Sequence, residues 1–168
     1  MLASACFPRA ASILTALAMT KPIYVLNGPN LNLLGSREPD VYGKETLKDI
    51  RALCERKAAA LGFPVDFRQS NHEGELVAWI QEARLHADGL IVNAGALTHT
   101  SIAMLDALLA CPVPSIEVHL TNIFKREPFR HQSYISKGVK GMICGFGSLS
   151  YELAIEALAA TIDASKSG

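Results

Sequence analysis

From residue 22 onward, short apolar runs alternate with helix-length amphipathic segments. No other feature constrains the fold as strongly, because this rhythm is the signature of β-α-β units around a parallel sheet. Residues 23–26 read as a first strand, 65–68 as a second, 89–93 as a third, 115–119 as a fourth and 139–144 as a fifth. The third does not alternate apolar with polar side chains, which predicts burial on both faces. Between the strands, residues 46–61 form a helix stopped by Gly62, and Ser70 or Asn71 caps a helix with Leu76, Val77, Ile80 and Ala83 on one stripe. Residues 101–110 make a third helix, bounded by Pro112 and Pro114, and residues 148–163 a closing one.

Five strands and these helices, in 168 residues of which 49 % are apolar and 19 % charged, predict one α/β domain over residues 21–164. Its expected architecture is a flavodoxin-like doubly wound five-stranded parallel sheet. Strand order is not readable from one sequence. Residues 165–168 read as a short tail. Residues 1–20 carry Arg9 as their only charge before Thr20 and a short apolar run ending in Ala16-Leu17-Ala18. A secretory signal has a similar look, but positive charge is missing from residues 1–5. The expectation is a disordered extension, or an over-called start upstream of Met19.

Sixteen Lys plus Arg balance sixteen Asp plus Glu, so no global basic field draws in nucleic acid or an anionic membrane surface. Any anionic ligand must be caught locally. The four cysteines, Cys6, Cys54, Cys111 and Cys144, lack the close pairing of a zinc site or redox motif and read as buried or idle thiols.

In open α/β sheets ligands bind beyond the carboxyl ends of the strands, and polar and ring-bearing residues concentrate there. Asn30, Arg37 and Tyr42 follow the first strand; Asn93, Thr98, His99 and Ser101 follow the third; His119, Thr121, Arg126 and Arg130 follow the fourth. Together they form a kit for proton transfer beside an anion. Arg130 can clamp a carboxylate, His119 can serve as acid or base, and Tyr42 can serve as base if a cation such as Arg37 favours its phenolate. Residues 98–101 are expected to open a helix and offer amides to an anion. Glu117 and His119 lie two apart on one strand, hence on one face, where the carboxylate can hold the imidazole.

Each feature has a plainer reading. Residues 27–30 can be a simple turn, His119 a structural histidine, Tyr42 a packing aromatic, and Arg37 with Glu38 a solvated pair. His72, His86 and His131 are read as structural. A non-enzymatic flavodoxin-like module binding a phosphate or nucleotide is a rival function, although it leaves Tyr42 and His119 without work and no phosphate-loop motif supports it. A lysine-dependent imine mechanism is another; Lys44, Lys48, Lys57, Lys125, Lys137 and Lys140 all sit in polar or terminal contexts.

Four strings carry a sharper message: Leu26-Asn27-Gly28-Pro29-Asn30-Leu31-Asn32, Arg37-Glu38-Pro39-Asp40-Val41-Tyr42-Gly43, Asn93-Ala94-Gly95-Ala96-Leu97-Thr98-His99-Thr100-Ser101 and Ile116-Glu117-Val118-His119-Leu120-Thr121-Asn122. In this order they resemble the type II 3-dehydroquinate dehydratases, over residues 22–158. Gln69-Ser70-Asn71 and Gly145-Phe146-Gly147 fit the same pattern, whereas Ala96 stands where a second glycine is common. The resemblance implies anti elimination of water from 3-dehydroquinate through an enolate, without metal or other cofactor, in a cytoplasmic homododecamer of trimers. It implies Tyr42 as base, Arg37 as the group that favours its ionised form and steadies a lid, His119 as acid, and Asn30 as the holder of a water facing the enolate oxygen. Asn93, His99, Leu120, Thr121 and Arg130 become substrate contacts, with Glu117 in support. Asp106, seven residues after His99 on the following helix, reaches a neighbouring subunit's site.

Overall fold

The computed structural model describes residues 20–35 and 45–166. Residues 1–19 of the expected N-terminal extension, as well as Arg37 and Tyr42, lie outside the described residues. Among those described, the strands are β1 (Ile23–Asn27), β2 (Val65–Gln69), β3 (Gly89–Asn93), β4 (Ser115–His119) and β5 (Gly141–Cys144), and the α-helices are α1 (Leu47–Ala60), α2 (Glu73–His86), α3 (Ile102–Leu109) and α4 (Leu149–Lys166). The order across the sheet is β2-β1-β3-β4-β5 and every pairing is parallel. This is the flavodoxin-like order, whose reversal point falls between β1 and β3. Asn27 and Asn93 are register partners there, at the carboxyl ends of the two strands.

The absence of polar alternation in β1 and β3 has a simple cause: each is flanked by strands on both edges and covered on both faces, and all of their residues are buried, as are those of β4, where Ser115, Glu117 and His119 alternate with Ile116 and Val118. Side chains still alternate between two separate cores. Ile23, Val25, Ile91, Ile116 and Val118 pack with Ile50, Cys54 and Ala58 of α1 and with Tyr151, Ile155 and Leu158 of α4. Tyr24, Leu26, Leu90 and Val92 pack on the other side with Leu76 and Ile80 of α2 and Met104 and Leu108 of α3. Each such side chain contributes about 1.5–3 kcal/mol when fully buried, so slipping β1 by one residue would misplace Val25 and Leu26 together. Burial pushes the Cys54 thiol up to about 12, with Glu152 and Glu55 adding to the effect, which makes it inert.

Helix ends follow local chemistry. Thr46 and Asp49 form a reciprocal capping box at the start of α1, and Gly62, at φ 83°, takes the chain out of its end. The expected cap of α2 is corrected: His72 occupies the N-cap position without a side-chain bond, while the Ser70 hydroxyl accepts from the His72 amide at 2.9 Å and donates to Glu75. The closing helix runs to Lys166, three residues beyond the expected end at Asp163. No helix among the described residues is long and apolar enough to cross a membrane.

On the edge strand β2, Arg68 binds Asp66 at 2.6 Å and Glu82 at 2.8 Å and lies 4.5 Å over the Tyr24 ring. Tyr24 donates to Glu82 at 2.7 Å. The bonds from Arg68 and then Tyr24 hold the Glu82 carboxyl down, from 4.5 to about 2, and burial, then the bond to Glu82, raises the Tyr24 phenol to about 12. A depressed carboxyl contributes stability that is whole above its unfolded value and lost as pH falls through the folded one. Urea midpoints of the parent should therefore decline between pH 4.5 and about 2 more steeply than those of Glu82→Gln. Parallel slopes would show that Glu82 contributes nothing to acid stability. The raised phenol acts in the opposite sense, its contribution being lost as pH climbs from 10 toward about 12.

Candidate active site

The carboxyl ends of β1, β3 and β4 open on a cleft of about 240 Å³. Asn30, Asn93, His99, His119, Leu120, Thr121 and Arg130 all line it. These seven and Arg126, all singled out from sequence, are thus brought together, beside the apolar Leu31, Leu33, Leu34 and Ile123 and the charged Glu127.

The loop after β1 is fixed by close backbone approach. A Cβ on Gly28 would lie 2.3 Å from the Ala94 carbonyl oxygen, so only glycine fits; its amide donates to the Asn93 carbonyl at 2.7 Å. Asn30 adopts the left-handed conformation at φ 67°, the one non-glycine residue among those described to do so. Asparagine tolerates that region better than most residues. The Asn30 amide donates to Asn71 Oδ1 at 2.9 Å, and Gln69 Nε2 donates to Asn71 Oδ1 at 3.1 Å and to the Gly28 carbonyl at 3.3 Å. The end of β2 therefore braces the loop that carries Asn30.

On β4, Glu117 and His119 face the same side, and the imidazole Nε2 meets Glu117 Oε1 at 2.8 Å. Glu117 is wholly buried and His119 nearly so. The Ser133 hydroxyl donates to both Glu117 oxygens, at 2.8 and 3.0 Å, and the Ser136 hydroxyl to Oε2. Burial drives the Glu117 carboxyl up, but the bond and charge of His119, with the two serine hydroxyls, outweigh it and hold the carboxyl below the usual range. An ionised Glu117 must accept, so Nε2 carries a proton and the ring's other nitrogen is left for chemistry.

His99 is oriented in the same manner, with Nδ1 donating to the Gln132 carbonyl at 2.7 Å. Arg130 ends a short 3-10 turn, Pro128–Arg130, and its Nε donates to Glu127 Oε2 at 3.0 Å. Glu127 also meets Arg126 Nε at 3.4 Å. Two guanidinium groups therefore converge on the cleft wall, with one carboxylate holding both in place.

One expectation is corrected, and one candidate lies apart from the rest. The helix expected to open at residues 98–101 begins only at Ile102; Gly95–His99 form a 3-10 turn, Thr98 is buried, and the Ser101 hydroxyl takes the Met104 amide at 2.9 Å. Asp106 does not reach the cleft of its own chain. It lies in a separate depression between α2 and α3, with Val77, Gln81 and Arg84.

Sequence reasoning also missed a buried network. Tyr151 of α4 donates to Asn27 Oδ1 at 2.7 Å and accepts from Asn93 Nδ2 at 2.8 Å, beneath the cleft floor. Nothing local signals it, since Tyr151 reads as one more apolar position of an amphipathic helix. Ser133 and Ser136 were missed for the same reason, being serines in a loop distant in sequence from Glu117.

Comparison with known proteins agrees with this geometry. The family model described as Dehydroquinase class II matches residues 21–159. The 3-dehydroquinate dehydratase of Azorhizobium caulinodans is 59 % identical over 143 residues, 85 % of this chain and 97 % of that protein. Among solved structures, the type II dehydroquinase from Propionibacterium acnes superimposes with a TM-score of 0.79 at 43 % identity, over 84 % of this chain and 98 % of that one. The type II dehydroquinase from Butyrivibrio crossotus does so with a TM-score of 0.80 at 40 % identity, over 83 % and 97 %.

Proposed function

The chain belongs to the class II dehydroquinase family, and we propose that it removes water from 3-dehydroquinate to give 3-dehydroshikimate, a hydro-lyase step of the shikimate pathway. The observation that carries this reading is the Glu117–His119 pair opening on the same cleft as Arg130. A β-hydroxy ketone loses water readily once the proton beside its ketone is removed and the hydroxyl leaves protonated. The Glu117–His119 pair supports the second half, and the first falls to Tyr42 in the reading below.

In this reading Tyr42 removes the proton next to the ketone, with Arg37 favouring its ionised form, and the electron pair moves into an enolate. Asn30 holds a water against the enolate oxygen. The pair then returns to form the carbon–carbon double bond while the hydroxyl on the opposite face departs with a proton from His119, so the elimination is anti and the product is water plus a conjugated enone. Because Nε2 is engaged by Glu117, the proton delivered is the one on Nδ1. Arg130 and the amides of Leu120 and Thr121 grip the carboxylate and hydroxyls, with Asn93 and His99 completing the contacts.

The assembly proposed is a cytoplasmic homododecamer of trimers of the 21–164 unit, in which Asp106 serves a neighbouring subunit's site. The position of Asp106 outside the cleft of its own chain supports this. The test is an absorbance assay of purified protein with 3-dehydroquinate, before and after borohydride treatment in the presence of substrate. Appearance of the enone, unaffected by borohydride, is expected; no enone would overturn the reaction, and substrate-dependent inactivation would restore the imine mechanism.

A further inference from the structure

At the reversal point of the sheet, a single phenol ties together the two strand ends that frame the cleft. Tyr151 is fully buried, and its hydroxyl sits between Asn27 and Asn93, which are register partners on β1 and β3. The bonds form one directional chain. The Gly95 amide donates to Asn93 Oδ1 at 3.3 Å, Asn93 Nδ2 donates to the Tyr151 oxygen at 2.8 Å, the Tyr151 hydroxyl donates to Asn27 Oδ1 at 2.7 Å, and Asn27 Nδ2 donates to the Arg68 carbonyl at 3.0 Å.

Both ends are backbone groups whose roles cannot change: Gly95 N–H only donates and the Arg68 carbonyl only accepts. The direction of every link between them is therefore set, and donors aligned in one sense polarise one another. Turning the Asn93 amide over would bring its NH₂ against the Gly95 N–H. Burial drives the Tyr151 phenol far above its ordinary value, so it stays a donor at any working pH. Asn93 itself lines the cleft, and the chain decides which of its polar edges faces inward.

We infer that Tyr151 is a positioning residue of this enzyme: its hydroxyl, bridging Asn27 and Asn93 under the cleft floor, sets the orientation in which Asn93 meets the substrate. The inference rests on the proposed reading of Asn93 as a substrate contact. Tyr151→Phe removes the hydroxyl alone, leaving Asn93 Nδ2 and Asn27 Oδ1 without a link and the Asn93 amide held only by the Gly95 amide at 3.3 Å.

The experiment is a double-mutant cycle on the full chain, with kcat and KM for 3-dehydroquinate measured in the parent, Tyr151→Phe, Asn93→Ala and the double variant. Tyr151→Phe is expected to raise KM by about tenfold, the scale of a lost hydrogen bond with a buried group left unpaired, with kcat changed less than about threefold. In the Asn93→Ala background the same change should alter kcat/KM by less than about twofold, since the two act through one contact. Equal losses in both backgrounds, or no loss in either, would overturn the positioning role while leaving the reaction intact. An inactive parent would overturn the reaction and the inference with it. Should Tyr151→Phe not fold, Asn27→Ala releases the phenol proton from its acceptor and is read in the same two backgrounds, with the same background dependence expected and background-independent losses again overturning the role.

Discussion

His119→Ala is expected to lower turnover by about 10² to 10⁴, the usual worth of a positioned general acid, and to do so at saturating substrate. Without a proton donor the departing group would be hydroxide rather than water, and that cost falls on the chemical step alone. Alanine also removes the partner of a carboxylate that is wholly buried. Losing one side of a buried pair costs about 3–5 kcal/mol, here softened because Ser133 and Ser136 still donate to Glu117. Unfolding alone would also abolish activity in His119→Ala, so His119→Gln is the sharper variant. Its amide can donate to Glu117 as Nε2 does at 2.8 Å, yet it has no proton to give at neutral pH. His119→Gln should melt close to the parent and be as poor a catalyst as His119→Ala. If it keeps more than about a tenth of parental kcat, far above what loss of an acid permits, His119 is structural after all.

Tyr42→Phe should produce a loss of the same order, about 10² to 10⁴, through the other half of the reaction. A phenol at its ordinary value of about 10 is almost wholly protonated near neutrality and a poor base. A neighbouring cation favours the phenolate, and exclusion of water strengthens that attraction. Arg37→Ala should accordingly cut turnover with Tyr42 still in place. The sign follows from the base having to be unprotonated: its limb of the rate profile rises with pH, and removing the cation moves that limb to higher pH. Tyr42→Phe should lack the limb altogether and keep a near-parental KM, because one hydroxyl is lost and the cleft contacts remain. A pH series of kcat for both variants decides the matter. A rising limb that stays put in Arg37→Ala separates Arg37 from the phenol, and persistence of the limb in Tyr42→Phe assigns it to another group.

These two predictions draw unequally on sequence and structure. The Arg37 and Tyr42 roles come from motif resemblance, and both residues lie outside the described part of the chain. The pairing of His119 with Glu117 is visible in both. Two residues of spacing on a strand put Glu117 and His119 on one face, and the 2.8 Å contact is the direct outcome.

What the sequence determined by itself was whatever depends on neighbours along the chain. Residues 89–93 and 115–119 were delimited to the residue, because a short β-branched run between breakers is a local property. The carboxyl ends of β1, β3 and β4 were recognisable as the site for the same reason, since residues 30, 93 and 119 each follow or end such a run. The tertiary structure decided everything that depends on which distant segments meet. Strand order is a choice among pairings of similar local sequence, and only the packing of four helices against two faces selects it. The Ser133 and Ser136 hydroxyls reach Glu117 from 16 and 19 residues away. Tyr151 joins Asn27 across 124 residues and Asn93 across 58. Asp106 lies seven residues after His99, a spacing that on one continuous helix would share a face, yet His99 sits in the 3-10 turn before α3 and Asp106 lies outside the cleft. A buried polar group must find its partner wherever the fold brings one within hydrogen-bond reach, and periodicity in sequence holds no record of that distance.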